Sequence, residues 1–253
     1  MSKASKIALI TGGSRGLGRN TALKLAERGN DVILTYRTSR TEAEAVVKEI
    51  LRFGSRAIAL PLDVEVLSTF PDFASKVHGA LKELQKERFD FLINNAGIGI
   101  YASFAETTES QFDQLINSHL KSTFFLTQKL LPLINDGGRI VNLSSGLTRF
   151  TFPGYSAYAA MKGGIEVLSR YMAKELGPRK ILVNVVAPGA IETDFGGGAV
   201  RDNKQLNAMI AAQTAMGRVG LPDDIGGAIA LLLESDNSWI NAQRIEISGG
   251  MSL

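Results

Sequence analysis

The sequence predicts an α/β fold: a doubly wound sheet of seven parallel strands flanked by helices, in one domain over residues 1–253. Three observations predict it. Short apolar runs alternate with amphipathic helical patterns along the chain, and no low-complexity linker interrupts them. The first run opens directly into a glycine-rich turn and then a helix. Small residues, amides and hydroxyls stand where several of the runs end, at the sheet edge where such folds bind ligands.

Lys6–Thr11 (KIALIT) is the first strand, continuous and apolar as suits a buried parallel strand. The turn Gly12-Gly13-Ser14-Arg15-Gly16-Leu17-Gly18 leads into a helix over Arg19–Arg28, closed by Gly29. Strand, glycine turn and helix together point backbone N–H groups and the positive helix end at an anion, usually a pyrophosphate. Asp31–Tyr36 is the second strand. An NAD-preferring site places an acid near its end to hold the ribose 2′-hydroxyl. Here the sequence is Tyr36-Arg37-Thr38-Ser39-Arg40, without an acid. Arg37, joined by Arg15 from the glycine turn, suits a 2′-phosphate instead, which selects NADP(H).

Thr41–Phe53 is an amphipathic helix, and Arg56–Leu60 a third strand ending near Asp63 and Val64. Val66–Glu87 is helical, with Pro71 expected in its first turn or at a break. Asp90–Ile93 is the fourth strand and runs into Asn94-Asn95-Ala96-Gly97, residues that fit either a ligand crevice or a plain turn. A long helix over Thr108–Leu131 stops at Pro132 and carries Asn117 mid-length, where an amide competes with the backbone. Arg139–Leu143 is the fifth strand, delivering Ser144 and Ser145. Ile181–Val186 is the sixth, followed by Pro188, Gly189, Ile191 and Thr193. The pattern weakens over 195–220, where Gly196-Gly197-Gly198 suits a hinge, so residues 190–220 are expected to form a lid. A helix over Pro222–Glu234 and a strand over Arg244–Ile247 end the fold.

Composition bounds the function. The chain has 45% hydrophobic and 21% charged residues, as expected for a globular protein with a substantial core. Net charge is +3 with the charges interspersed, so neither nucleic acid nor a membrane surface is the expected partner. There are no cysteines, which excludes thiolate chemistry and fits a cytoplasmic location. No apolar run is long enough for a signal peptide or membrane span. His78 and His119 lack ligand-like spacing, so no metal is expected.

Within Tyr155–Leu176, read as a helix, Tyr158 and Lys162 project from one face, one turn apart, with Ser145 thirteen residues before the tyrosine. A phenol holds its proton to a pKa of about 10. A neighbouring ammonium favours the phenolate and brings proton exchange toward neutral pH.

Together these residues resemble the short-chain dehydrogenase/reductase family over essentially the whole chain. The resemblance rests on Thr11-Gly12-x-x-x-Gly16-x-Gly18, Asn94-Asn95-Ala96-Gly97, Asn117, Ser145, Tyr158-x-x-x-Lys162, and Pro188-Gly189 followed by Thr193. It implies a Rossmann-type sheet, an NADP(H) cofactor and reduction of a ketone or aldehyde. Tyr158 would protonate the carbonyl oxygen, Ser145 would hydrogen-bond it, and Lys162 would lower the tyrosine pKa and hold the nicotinamide ribose. Asn117 would anchor a water in a proton relay. Gly12, Ser14, Arg15, Gly16, Leu17 and Gly18 would line the pyrophosphate, and Arg37 and Thr38 the 2′-phosphate. Asp63 and Val64 would lie near adenine, Asn94, Ala96 and Gly97 along the adenosine ribose, and Pro188, Gly189, Ile191 and Thr193 at the nicotinamide.

Within the family the chain looks most like 3-oxoacyl-carrier-protein reductases and related carbonyl reductases, which usually form homotetramers. Arg179 matches a basic carrier-docking position, whereas Asp136 supplies an acid where such enzymes carry bases. Both a carrier-bound acyl thioester and a free ketone, aldehyde or sugar therefore stand as substrate classes. The competing reading is a protein that binds NADP(H) as a sensor or scaffold without chemistry.

Overall fold

The computed structural model describes residues 5–236 and 238–253. Seven strands form one sheet in the order β3-β2-β1-β4-β5-β6-β7, every pairing parallel. They are β1 (Ile7–Ile10), β2 (Asp31–Tyr36), β3 (Ala57–Pro61), β4 (Phe89–Asn94), β5 (Ile134–Leu143), β6 (Leu182–Pro188) and β7 (Arg244–Ile247). The strand order reverses direction between β1 and β4, which opens a crevice beyond the carboxyl ends at that point.

Alternation along the strands divides the core in two. Ala8 and Ile10 of β1 pack on one face, against helices α1 (Gly16–Ala26), α2 (Arg40–Arg52) and α9 (Pro222–Glu234) through Leu25, Val46 and Ile229. Ile7 and Leu9 pack on the other, against α3 (Phe70–Glu83), α5 (Ser122–Leu130) and α6 (Ser156–Leu176) through Val77, Leu126 and Ala173. A side-chain period of two sends neighbours to opposite faces, so both faces must be covered.

Three elements depart from the sequence reading. Pro71 enters α3 in its first turn, after a short 3-10 segment at Leu67–Thr69. The missing proline N–H is unused at a helix start, so nothing is broken there. The long helix begins as α4 (Glu109–Leu115), capped at Thr108, whose Oγ1 accepts from the Gln111 N–H. It then passes through a π turn at Ile116–Lys121 before continuing as α5. A π turn inserts a residue and is common at functional sites. Finally, β5 starts at Ile134, five residues early, because Asn135–Gly138 forms an irregular edge pairing back to Phe89. Beyond β6 lie α7 (Ala199–Asp202) and α8 (Lys204–Ala212). Among the described residues no helix is long and apolar enough to cross a membrane.

Candidate active site

The turns after β1 and β4 are laced together. Thr11 Oγ1 accepts from the backbone N–H groups of Asn95 and Ala96, each at 2.9 Å. Asn95 Nδ2 donates in return to the carbonyls of Thr11 and Gly12, at 2.8 and 3.1 Å. Gly12 and Gly16 hold positive φ of 65° and 56°, a region that side chains strain to enter. A Cβ on Gly18 would stand 2.2 Å from the Gly12 carbonyl oxygen, so only glycine lets α1 start against the turn. The result is a cradle of free N–H groups at a helix N-terminus, open to a cleft of about 400 Å³.

That cleft gathers most of the residues the sequence singles out. Gly12, Ser14, Arg15, Gly16 and Leu17 line it at the glycine turn, and Arg37, Thr38, Asp63 and Val64 at one end. Ala96 and Gly97 border its middle, and Ser145, Tyr158, Lys162, Pro188, Gly189, Ile191 and Thr193 its other end. Three expected residues are not on its wall. Gly18 is behind the cradle. Asn94 faces the core, where its Nδ2 donates to Thr127 Oγ1 and to Asn142 Oδ1 at 3.0 and 2.8 Å. Asn117 is half-buried in the π turn, and the residues of that turn reaching the cleft are Ser118 and His119. The expected wall at 99–104 also lies outside. Tyr101 packs edge-on to Tyr155 at the rim, and Phe104 is exposed.

Tyr158 and Lys162 are both buried. Lys162 Nζ donates to the Leu143 carbonyl at 2.8 Å and stands 5.6 Å from the centroid of the Tyr158 ring. Ser145 hydrogen-bonds the phenol, and its Oγ also accepts from the Leu147 N–H at 3.2 Å. Electrostatics differ from the sequence expectation. Burial pushes the Tyr158 phenol up, and the Ser145 bond opposes it only in part. Burial also brings the Lys162 ammonium down from 10.5 to about 7. Desolvation outweighs the attraction between the pair, so at neutral pH the phenol keeps its proton and is ready to donate it.

The serine turn is braced from behind. Glu166, one turn beyond Lys162 on α6, accepts from Ser144 Oγ and Thr148 Oγ1, each at 2.7 Å, and from Arg244 Nε at 2.8 Å. Arg244 Nη2 reaches the Ser145 carbonyl at 3.3 Å. Neither Glu166 nor Arg244 stands out in the sequence. The available signal was the spacing of four that puts Glu166 on the Lys162 face of the helix.

Aromatic side chains surround the tyrosine. Tyr155 lies 6.2 Å from Tyr158, Phe152 6.1 Å from Tyr155, and Phe195 5.7 Å from Tyr158, centroid to centroid. Phe195 is followed by Gly196, Gly197 and Gly198 at φ of 60°, 74° and 79°, three consecutive left-handed residues. On the far side the His119 imidazole meets the Tyr158 ring edge-on at 5.3 Å. The sequence reading passed over His119 because it looked for metal spacing.

The family model described as Enoyl-(Acyl carrier protein) reductase matches residues 12–252. The chain belongs to the short-chain dehydrogenase/reductase family. Among its relatives is the hydroxynaphthalene reductase-like protein Arp2 of Metarhizium brunneum, 34% identical over 260 residues that cover 98% of this chain and 96% of Arp2. Among solved structures, the promiscuous reductase LugOII, which catalyses keto-reduction at C1 during lugdunomycin biosynthesis, superposes with a TM-score of 0.92. It is 35% identical, with 98% of each chain covered. The angucycline C-6 ketoreductase LanV with bound NADP also gives a TM-score of 0.92, at 34% identity over 98% of this chain and 95% of LanV. The sheet order and the glycine cradle of this short-chain dehydrogenase/reductase fit a dinucleotide along the crevice.

Proposed function

We propose that this protein reduces the carbonyl of a free, flat, largely apolar ketone to an alcohol, with Tyr158 as general acid. The chain is an NADP(H)-dependent oxidoreductase of its family. The observation that carries the finer reading is the buried Tyr158 phenol, bonded by Ser145 at the floor of a cleft whose other end is the glycine cradle. When bound, NADPH supplies the hydride. Tyr158 holds the proton that the carbonyl oxygen takes up, and Ser145 offers that oxygen a second hydrogen bond. Lys162, fixed on the Leu143 carbonyl, sets the local field behind the phenol. Arg15 and Arg37 face the 2′-phosphate, and residues 190–220 close over the substrate as a lid within a single unit spanning 1–253.

Two features favour a free substrate over a carrier-bound acyl chain. The wall of Phe152, Tyr155, Tyr158 and Phe195 suits stacking on an extended ring system. Arg179, the expected carrier-docking base, is held by Asp136 at 2.7 Å and donates to the carbonyls of Leu131 and Ile134. The named activities of LugOII and LanV, keto-reductions on polyketide rings, agree with this class. Phe124, Phe125 and Tyr171 remain exposed on α5 and α6, an apolar face that supports self-association, with a homotetramer in the cytoplasm as our reading.

The test is to follow NADPH oxidation with purified protein against bicyclic and tricyclic aromatic ketones, 3-oxoacyl thioesters and sugars. Faster turnover of the aromatic ketones, with NADPH preferred over NADH, is expected. Turnover confined to thioesters removes the substrate class, and no oxidation with any carbonyl removes the reading.

A further inference from the structure

His119 is nine-tenths buried beneath the reaction centre, and the roles assigned above make no use of it. Its Nε2 lies 2.8 Å from the Ile98 carbonyl oxygen. A carbonyl can only accept, so Nε2 carries the proton and Nδ1 is a bare lone pair. That Nδ1 is buried and has no hydrogen-bond partner within the protein. An acceptor shut away from water and left unsatisfied costs free energy and is uncommon in native proteins, so such an atom calls for a donor from elsewhere. The ring cannot turn away to find one, because it is fixed on three sides. Ile98 holds Nε2. Tyr158 covers one edge. Gly97 is so close that a Cβ there would stand 2.4 Å from Cε1 and 2.8 Å from Nδ1. Gly97, Ser118 and Lys162, like His119 itself, line the cleft, so the lone pair sits at the border of the ligand space. Burial and the nearby Lys162 charge hold the imidazole down to about 3, so it is neutral at physiological pH and keeps this acceptor.

We propose that His119 is a positioning residue whose neutral Nδ1 accepts a hydrogen bond from an O–H donor in the cleft and thereby orders the Tyr158–Lys162 pair. The inference rests on the carbonyl-reductase reading for its kinetic consequence but not for the hydrogen bond itself. The donor chemistry is a hydroxyl, from a water or from the cofactor's ribose. Asn117, two residues earlier and off the cleft wall, does not occupy this place.

Two measurements test it. The chain contains only His78 and His119, so 15N-histidine labelling with His78→Gln isolates the His119 resonances. The Nε2–H tautomer is expected from pH 5 to pH 8, with Nδ1 shifted upfield by a hydrogen bond. A shift present before NADP⁺ addition identifies water as the donor, and one appearing only on addition identifies the cofactor. A free Nδ1 in both states, or a protonated ring, overturns the proposal.

The second arm is kinetic. His119→Leu is expected to lower kcat about 10- to 100-fold, the scale of a slight misplacement of catalytic groups. His119→Asn, which restores an acceptor near the Nδ1 position, should recover most of that loss. His119→Gln, which places its amide near Nε2, should not. Melting temperature and NADP⁺ affinity establish that each variant is folded. Equal kcat for all three folded variants overturns the positioning role. A wild type that turns over no carbonyl removes the proposed function, while the resonance of Nδ1 still decides whether it accepts.

Discussion

Arg37 and Glu65 face each other at one end of the cleft, with Arg37 Nη1 3.5 Å from Glu65 Oε1. The guanidinium expected to meet a 2′-phosphate is therefore shared with a carboxylate from the turn after β3. Arg37→Asp is expected to weaken NADPH binding about 10- to 100-fold, the loss of a charge-assisted hydrogen bond of roughly 1.5–3 kcal/mol. NADH binding should change little. Glu65→Gln should instead tighten NADPH, most visibly at low salt. Fluorescence titration of both coenzymes checks this, and a parallel loss for NADH and NADPH would count against the 2′-phosphate contact.

Tyr158→Phe removes one hydroxyl from a well-packed buried ring. We expect kcat to fall about 100- to 10,000-fold, the usual scale of general acid catalysis, with NADPH affinity nearly unchanged. Stopped-flow and binding assays separate the two quantities. Turnover close to wild type would remove Tyr158 as the acid.

Gly97→Ala drives a methyl into the His119 ring. The imidazole is anchored at Ile98, so the variant should lose about 1–3 kcal/mol of stability by overpacking. Gly79→Ala on α3 is the control. Its Cβ would meet nothing within 4 Å, and replacing a helical glycine should stabilise by roughly 0.5–1 kcal/mol. Chemical denaturation of both variants gives the comparison, and equal stability would contradict the close approach.

Lys162 titrates near 7 in the folded protein and at 10.5 when unperturbed. Between those values the unfolded chain binds more protons at this site than the folded one, so this residue makes stability rise with pH over that window. Below about 7 both states carry the proton and the buried charge is a constant cost. Lys162→Met should flatten the rise and gain stability at pH 6, while abolishing turnover. Melting curves from pH 6 to pH 10 read the slope directly, and identical slopes in wild type and variant would contradict the buried ammonium.

Much of this was legible in the sequence because it is written in local pattern. Lys6–Thr11 and its glycine turn announced a strand, a phosphate cradle and a helix, and the structure has each. Tyr158 and Lys162 declared themselves by spacing alone. What escaped depends on long-range placement. Asn94 and Asn95 are adjacent and chemically identical, yet one is turned into the core toward Thr127 and Asn142 and the other laces the cradle. A strand's alternation separates them, but their roles depend on which neighbours each face meets. The π turn at Ile116–Lys121 shifts helical register by one residue, which no 3.6-residue pattern announces, and at that turn Ser118 and His119, not Asn117, reach the cleft. The fall of the Lys162 pKa also lay beyond the sequence, since burial depth is a property of the assembled core.

The bond from Arg244 to Glu166 has a consequence for synthesis. A ribosome delivers the glycine turn of β1 early, but the brace behind Ser144 and Ser145 comes from β7, the final strand. A nascent chain can thus assemble its phosphate cradle well before its serine turn is held in place, and the chemistry becomes available only when translation has all but finished.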